Sequence, residues 1–167
     1  YVRGLAWVAT HQTKQAEQEL AKLRNFLNQL SKNDRVISMN SASNILHIAS
    51  EVLAGEIAAA KNQFDQAILH LDKAVRLDDA LLYTEPPEFH FPPRLALGAI
   101  LLKAGRANEA ETVYWEDLKR IRNNGWALFG LMQALTAQNK TERAAIVKER
   151  FEQTWQRADR ELKASRF

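Results

Sequence analysis

Residues 55–80 read GEIAAAKNQFDQAILHLDKAVRLDDA. Asn62 interrupts two helix-forming runs, and asparagine is among the few residues besides glycine that accept the left-handed backbone conformation ending a helix. Five residues later Ala67 begins a stripe continued by Leu71 and Ala74, the i, i+4, i+7 spacing of an amphipathic helix. Seven residues before the turn stands Gly55. A mid-helix glycine is about 1 kcal/mol less favourable than alanine, so its presence points to a close helix–helix approach, with Ala67 expected as its opposite number. The stretch therefore predicts two helices folded back on one another.

The same register recurs outward. His11, Asn62, Gly105 and Asn139 are followed five residues on by Ala16, Ala67, Ala110 and Ala144, and preceded seven residues back by Gly4, Gly55, Gly98 and Met132. Leu20, Leu71, Tyr114 and Lys148 come four residues after the alanines, and Leu23, Ala74, Asp117 and Phe151 three further on; Lys148 and Asp117 depart from the apolar pattern. Self-similarity at this scale predicts a repeat architecture in which each unit buries its apolar face on a neighbour. We expect units at about 1–30, 41–80, 91–123 and 124–163 within one domain spanning 1–167, joined by connectors at 31–40 and 81–91.

In Gly55, Phe64, Ala67, Leu71 and Ala74 the second unit resembles the tetratricopeptide repeat family, and the third follows with Gly98, Gly105, Ala110 and Tyr114. The resemblance implies an all-α, right-handed solenoid of about four helix-turn-helix units. The step from Gly98 to Met132 keeps the family's period of about 34 residues. The earlier steps are longer, with the excess in QLSKNDRVISMNSASN, which has room for a short extra turn, and in LLYTEPPEFHFPPR, which holds all four prolines and cannot be helical throughout. Ala144, Val147, Phe151, Trp155, Ala158 and Leu162 form one unbroken stripe, predicting a long C-terminal capping helix. The segment NNGWALFGLMQALTAQNKTERAAIVKERF and the ending ASRF resemble the C-terminal part of long bacterial repeat proteins, and Tyr1 already lies in a helical pattern, so a fragment of a longer chain is expected.

Composition narrows the functional classes. At 167 residues and 46% hydrophobic, the chain can bury a continuous apolar interior. Its 23 basic and 20 acidic residues are interspersed, so no nucleic-acid partner is implied. Lys119, Arg120 and Arg122 read as a solvated helix end. Cysteine is absent, which excludes disulfides and thiolate chemistry. The longest apolar stretch, 95–102, is well short of the roughly 18 to 20 residues that span a bilayer, and no signal segment is present; a cytoplasmic location is expected.

No nucleophile elbow, phosphate loop or HExxH pattern occurs, so no catalytic residue, metal site or cofactor is assigned. His47 and Glu51, four apart, provide two ligands at most and read as a solvated pair; His11 reads as a turn residue and His70 as an exposed one. In the family arrangement the first helix of each pair lines a concave face, which here would carry Tyr1, Leu5, Val8, Val52, Glu56, Leu95, Ala99, Trp126, Phe129 and Gln133. That apolar stripe is expected either to pack against a missing N-terminal part of the chain or to take a protein or peptide partner. It lacks the Lys, Arg and Asn that a clamp for a terminal carboxylate needs. The proline loop brings Phe89, His90 and Arg94 beside it, either plugging a gap between helix pairs or gripping a partner. An interaction or scaffold module is the expected function. The alternatives are part of an enzyme whose site is completed by missing N-terminal residues, and a self-assembly element.

Overall fold

Four copies of one turn organise the chain. His11, Asn62, Gly105 and Asn139 have φ of 59°, 59°, 74° and 58°, all in the left-handed region. At each, the turn residue's N–H donates to the carbonyl three residues back, and the next N–H donates five residues back: His11 to Val8 and Gln12 to Trp7, Asn62 to Ala59 and Gln63 to Ala58, Gly105 to Leu102 and Arg106 to Leu101, Asn139 to Thr136 and Lys140 to Leu135. This is the Schellman closure of a helix. The residue after each turn then accepts from the N–H of Ala16, Ala67, Ala110 or Ala144, starting the second helix at once.

The computed structural model describes residues 1–30, 36–37 and 39–166. Its helices are α1 (Val2–Ala9), α2 (Thr13–Gln29), α3 (Ala42–Ala60), α4 (Phe64–Asp79), α5 (Pro93–Lys103), α6 (Ala107–Arg120), α7 (Gly125–Ala137) and α8 (Thr141–Trp155). Among the described residues the regular structure is all helical apart from one minute hairpin, β1 (Val36–Ile37) with β2 (Asn40–Ser41), antiparallel with Val36 opposite Ser41 and Ile37 opposite Asn40. The short extra turn expected in this connector falls partly on residues 31–35 and 38, outside the described ones; where the connector is described it is this hairpin. Ser41 Oγ accepts from Asn44 N at 3.1 Å and Asn124 Oδ1 from Trp126 N at 3.2 Å, capping α3 and α7. Pro93 opens α5 at the position where a missing N–H is harmless.

The chain divides into two compact units, Tyr1–Pro93 and Arg94–Phe167. In the first, α3 is buried without interruption from Ile48 to Ala59 because it meets α1, α2 and α4. Gly4 crosses it so closely that a Cβ there would stand 2.6 Å from Leu53 Cδ2, and a Cβ on Gly55 would stand 2.6 Å from Leu71 Cγ. In the second unit the fully buried Tyr114 ring of α6 lies against both Gly98 of α5 and Gly130 of α7, and a Cβ on either glycine would collide with it.

These contacts correct one expectation. The alanines are buried, but the side chain nearest to Gly55 and Gly98 is the larger residue one turn further on, Leu71 or Tyr114; the Ala67 carbonyl oxygen comes next at Gly55. The stripe of 144–162 is also shorter in the fold than in the sequence. Helix α8 stops at Trp155, whose indole Nε1 donates to Arg160 O at 2.7 Å, so Ala158 and Leu162 lie beyond the helix.

Candidate functional site

The proline loop of the first unit is held from β2. Asn40, itself buried, donates from Nδ2 to Leu82 O at 2.9 Å and to Glu88 Oε2 at 2.6 Å, while its Oδ1 accepts from Leu82 N at 2.8 Å. One side-chain amide thus replaces the backbone ladder that a proline-rich segment cannot make. The loop aromatics part company. Phe89 is buried with its ring centroid 5.8 Å from that of Tyr1, whereas His90, 5.9 Å from Phe89, is exposed, as is Tyr83.

Val52 and Glu56 are buried on α3. Burial, reinforced by the Glu56 carboxylate, pushes the Tyr1 phenol up to about 12. Tyr1, Leu5 and Val8 pack, partly buried, on a cluster of Ala16, Leu20, Leu53, Ala54 and Ile57. Most of the first unit's predicted face therefore contributes to its interior.

In the second unit Leu95, Ala99 and Arg94 are buried. The Arg94 charge acts on Glu116 and on Asp117, which lies inside the unit, accepts from Asn124 Nδ2 at 2.8 Å and has its carboxyl pushed up by burial. Trp126 and Phe129 are half-buried and turn toward α8: Trp126 meets Trp155 edge-on at 5.8 Å, Phe129 meets Phe151 at 5.4 Å, and Phe151 stacks on Trp155 at 5.8 Å. Gln133 is half-buried.

The feature that sequence reasoning missed lies after α8. Ser165 is only 1% exposed; its Oγ is 2.6 Å from the Tyr114 hydroxyl and donates to Leu95 O at 3.1 Å. A carbonyl only accepts and a serine has one hydroxyl hydrogen, so that hydrogen goes to Leu95 and the phenol donates its own to Ser165. Burial pushes the Tyr114 phenol well above its usual range, outweighing the pull of Ser165 and Arg166, and so keeps it a donor. A buried phenol left without an acceptor would cost about 1–3 kcal/mol. The repeat register had marked Gly98 and Tyr114, but neither Gly130 nor Ser165.

Charged side chains tie neighbouring helices. Glu51 is buried on α3 and takes His70 Nδ1 and Lys73 Nζ of α4, each at 2.7 Å. This corrects the reading of Glu51 as half of a solvated pair with His47 and of His70 as exposed, because both groups turn into the α3–α4 seam. Glu111 is held similarly by Lys140 at 2.7 Å, Arg143 at 2.9 Å and Gln138 at 2.9 Å, and Glu17 pairs with Lys61. Among the described residues, no three His, Asp or Glu gather closely enough to hold a metal ion. Lys119 and Arg120 are exposed in the last turn of α6.

The Glu51 cluster has a definite pH signature. Burial raises its carboxyl, but hydrogen bonds and charge from Lys73 and His70 outweigh it, leaving the pKa below the usual carboxylate range. A depressed folded pKa contributes stability that is fully present above the unfolded value and is lost as pH falls through the folded one. Glu51→Gln is expected to lower stability by about 1 kcal/mol at pH 7, with the difference from the parent chain shrinking toward pH 3. Urea midpoints at the two pH values measure this, and an unchanged difference would refute the assignment.

Among the described residues, no helix is long and apolar enough to cross a membrane. No protein-family model, curated protein sequence or solved structure matches the chain.

Proposed function

We propose that the chain is a helical-repeat interaction module of the tetratricopeptide type. In this reading its four helix pairs stack as a right-handed solenoid that presents a surface to a protein or peptide partner in the cytoplasm. The observation that carries the reading is the fourfold turn: the same left-handed residue, the same two hydrogen bonds and a buried alanine five residues on, at four places in one chain. Units that cannot bury an apolar face alone are stable by stacking, and stacked units produce extended recognition surfaces. A role without chemistry of its own agrees with charged clusters such as Glu51 and Glu111, whose partners sit on adjoining helices and turns.

Of the residues expected to meet a partner, His90 is exposed, and Gln133, Trp126, Phe129, Tyr1, Leu5 and Val8 are half-buried and retain accessible surface. The test places the photo-crosslinking residue p-benzoylphenylalanine at His90 or Gln133, with exposed Thr112 on α6 as control. Irradiation in the producing cells is expected to give a discrete adduct from His90 or Gln133 and none from Thr112. Indistinguishable patterns at all three positions would reject a specific surface.

A further inference from the structure

The segment after α8 is held in an unusual way. Residues 156–166 form no helix or strand, and within 162–166 Lys163 is exposed while Leu162, Ala164 and Arg166 are half-buried. The one fully buried residue is Ser165, whose hydroxyl bridges Tyr114 of α6 and Leu95 O of α5.

The seat is assembled from three helices of the unit, with Gly98 and Gly130 clearing space for the Tyr114 ring. Its polar equipment is a buried phenol donor and a carbonyl in the first turn of α5. Together these accept one small hydroxyl-bearing side chain. What occupies the seat is a short irregular segment of the chain itself, held by side-chain chemistry and not by continuation of a helix.

We propose that the Tyr114–Leu95 seat is a peptide-binding site for a short irregular partner segment bearing a serine, and that residues 162–166 are its built-in competitor. The inference deepens the interaction-module reading and rests on it. It identifies one site for the partner and a condition for access, because an incoming segment binds only when the resident one leaves. A tethered competitor acts at an effective concentration that reaches the millimolar range for short linkers, so the intact chain resists weak peptides and yields to those of higher affinity.

The test uses the full chain and a fluorescein-labelled peptide of residues 160–166, RELKASR. Ser165→Asp puts a charge where the seat accepts a neutral hydroxyl and is expected to expel the resident segment, seen as faster trypsin cleavage after Lys163 with an unchanged helical circular dichroism spectrum. Fluorescence anisotropy is then expected to show the peptide binding the variant at least about tenfold more tightly than the parent chain. The gain is expected to disappear when the peptide serine is replaced by alanine or when Tyr114→Phe is added. If Ser165→Asp perturbs folding, Ser165→Ala removes the same hydrogen bonds without a charge and is expected to raise peptide binding about threefold.

A released segment with no gain in peptide binding would overturn the proposal and leave Ser165 a structural tie. Concentration-dependent doubling of the parent chain's mass, abolished by Ser165→Asp, would assign the seat to a second copy and also overturn it. Crosslinks at His90 or Gln133 are read independently, so failure here leaves the broader module reading standing, whereas absence of both results removes it.

Discussion

Gly130→Ala is expected to destabilise the unit of residues 94–166 by about 2 kcal/mol, although alanine is the better helix former. A Cβ at this position would collide with the outer end of the Tyr114 ring. Tyr114 cannot swing aside easily, because its hydroxyl is 2.6 Å from Ser165 and the same end of the ring also lies against Gly98. Overpacking of this kind typically costs about 1–3 kcal/mol, larger than the gain of roughly 1 kcal/mol from replacing a mid-helix glycine. The decisive comparison is a double-mutant cycle. In a Tyr114→Ala background, where the ring is gone, Gly130→Ala is expected to stabilise by about 0.5–1 kcal/mol. Urea unfolding of the four proteins measures the inversion of sign, and the same cost in both backgrounds would show that the ring does not demand the glycine.

Leu71→Ala is expected to destabilise the first unit by about 3 kcal/mol, within the range of about 2–5 kcal/mol found for buried leucines. Leu71 is fully buried, and its Cγ lies 2.6 Å from where a Cβ on Gly55 would stand, so truncation leaves a cavity against α3. Gly55→Ala alone should also be costly, since the Ala67 carbonyl is 3.2 Å from the same position. With Leu71 truncated the added methyl occupies part of the vacated space. The double variant is therefore expected to be more stable than the sum of the single losses predicts, by about 1 kcal/mol or more. Additive losses in thermal or urea unfolding would refute the contact.

Leu71, Gly55 and Tyr114 are positions that the repeat register had singled out, whereas Gly130 lies outside it, and together they show where such reading succeeds. His11, Asn62, Gly105 and Asn139 were identifiable as turns because residue type biases φ locally, and all four have positive φ. The alanines five residues on followed from the same local geometry and are buried. What faced the glycines was less accessible. Spacing places Ala67 and Leu71 on one face of α4, but which of them meets Gly55 depends on how the two helices cross. Glu51 illustrates the same limit: its i, i+4 neighbour His47 was visible in the chain, while its actual partners, His70 and Lys73, are brought by another helix.

The candidate site was legible in still smaller part. Helical spacing could nominate Val52, Leu95 and Ala99 as one stripe, yet apolar residues at that spacing are equally suited to an interior, where the fold puts them. Trp126 and Phe129 were recognisable as large aromatic groups, but their rings lean on Trp155 and Phe151. Apolar periodicity also extended α8 in expectation to Leu162, because periodicity registers hydrophobicity and not the capture of the Arg160 carbonyl by the Trp155 indole.

Helices, their pairing and the four turns thus came from information within a few residues of each position: backbone preference, apolar period and the small size of alanine. The seat of Ser165 had no such local origin. Its hydroxyl meets a phenol 51 residues away and a carbonyl 70 residues away, and only packing α5, α6 and α7 around two glycines brings those groups together.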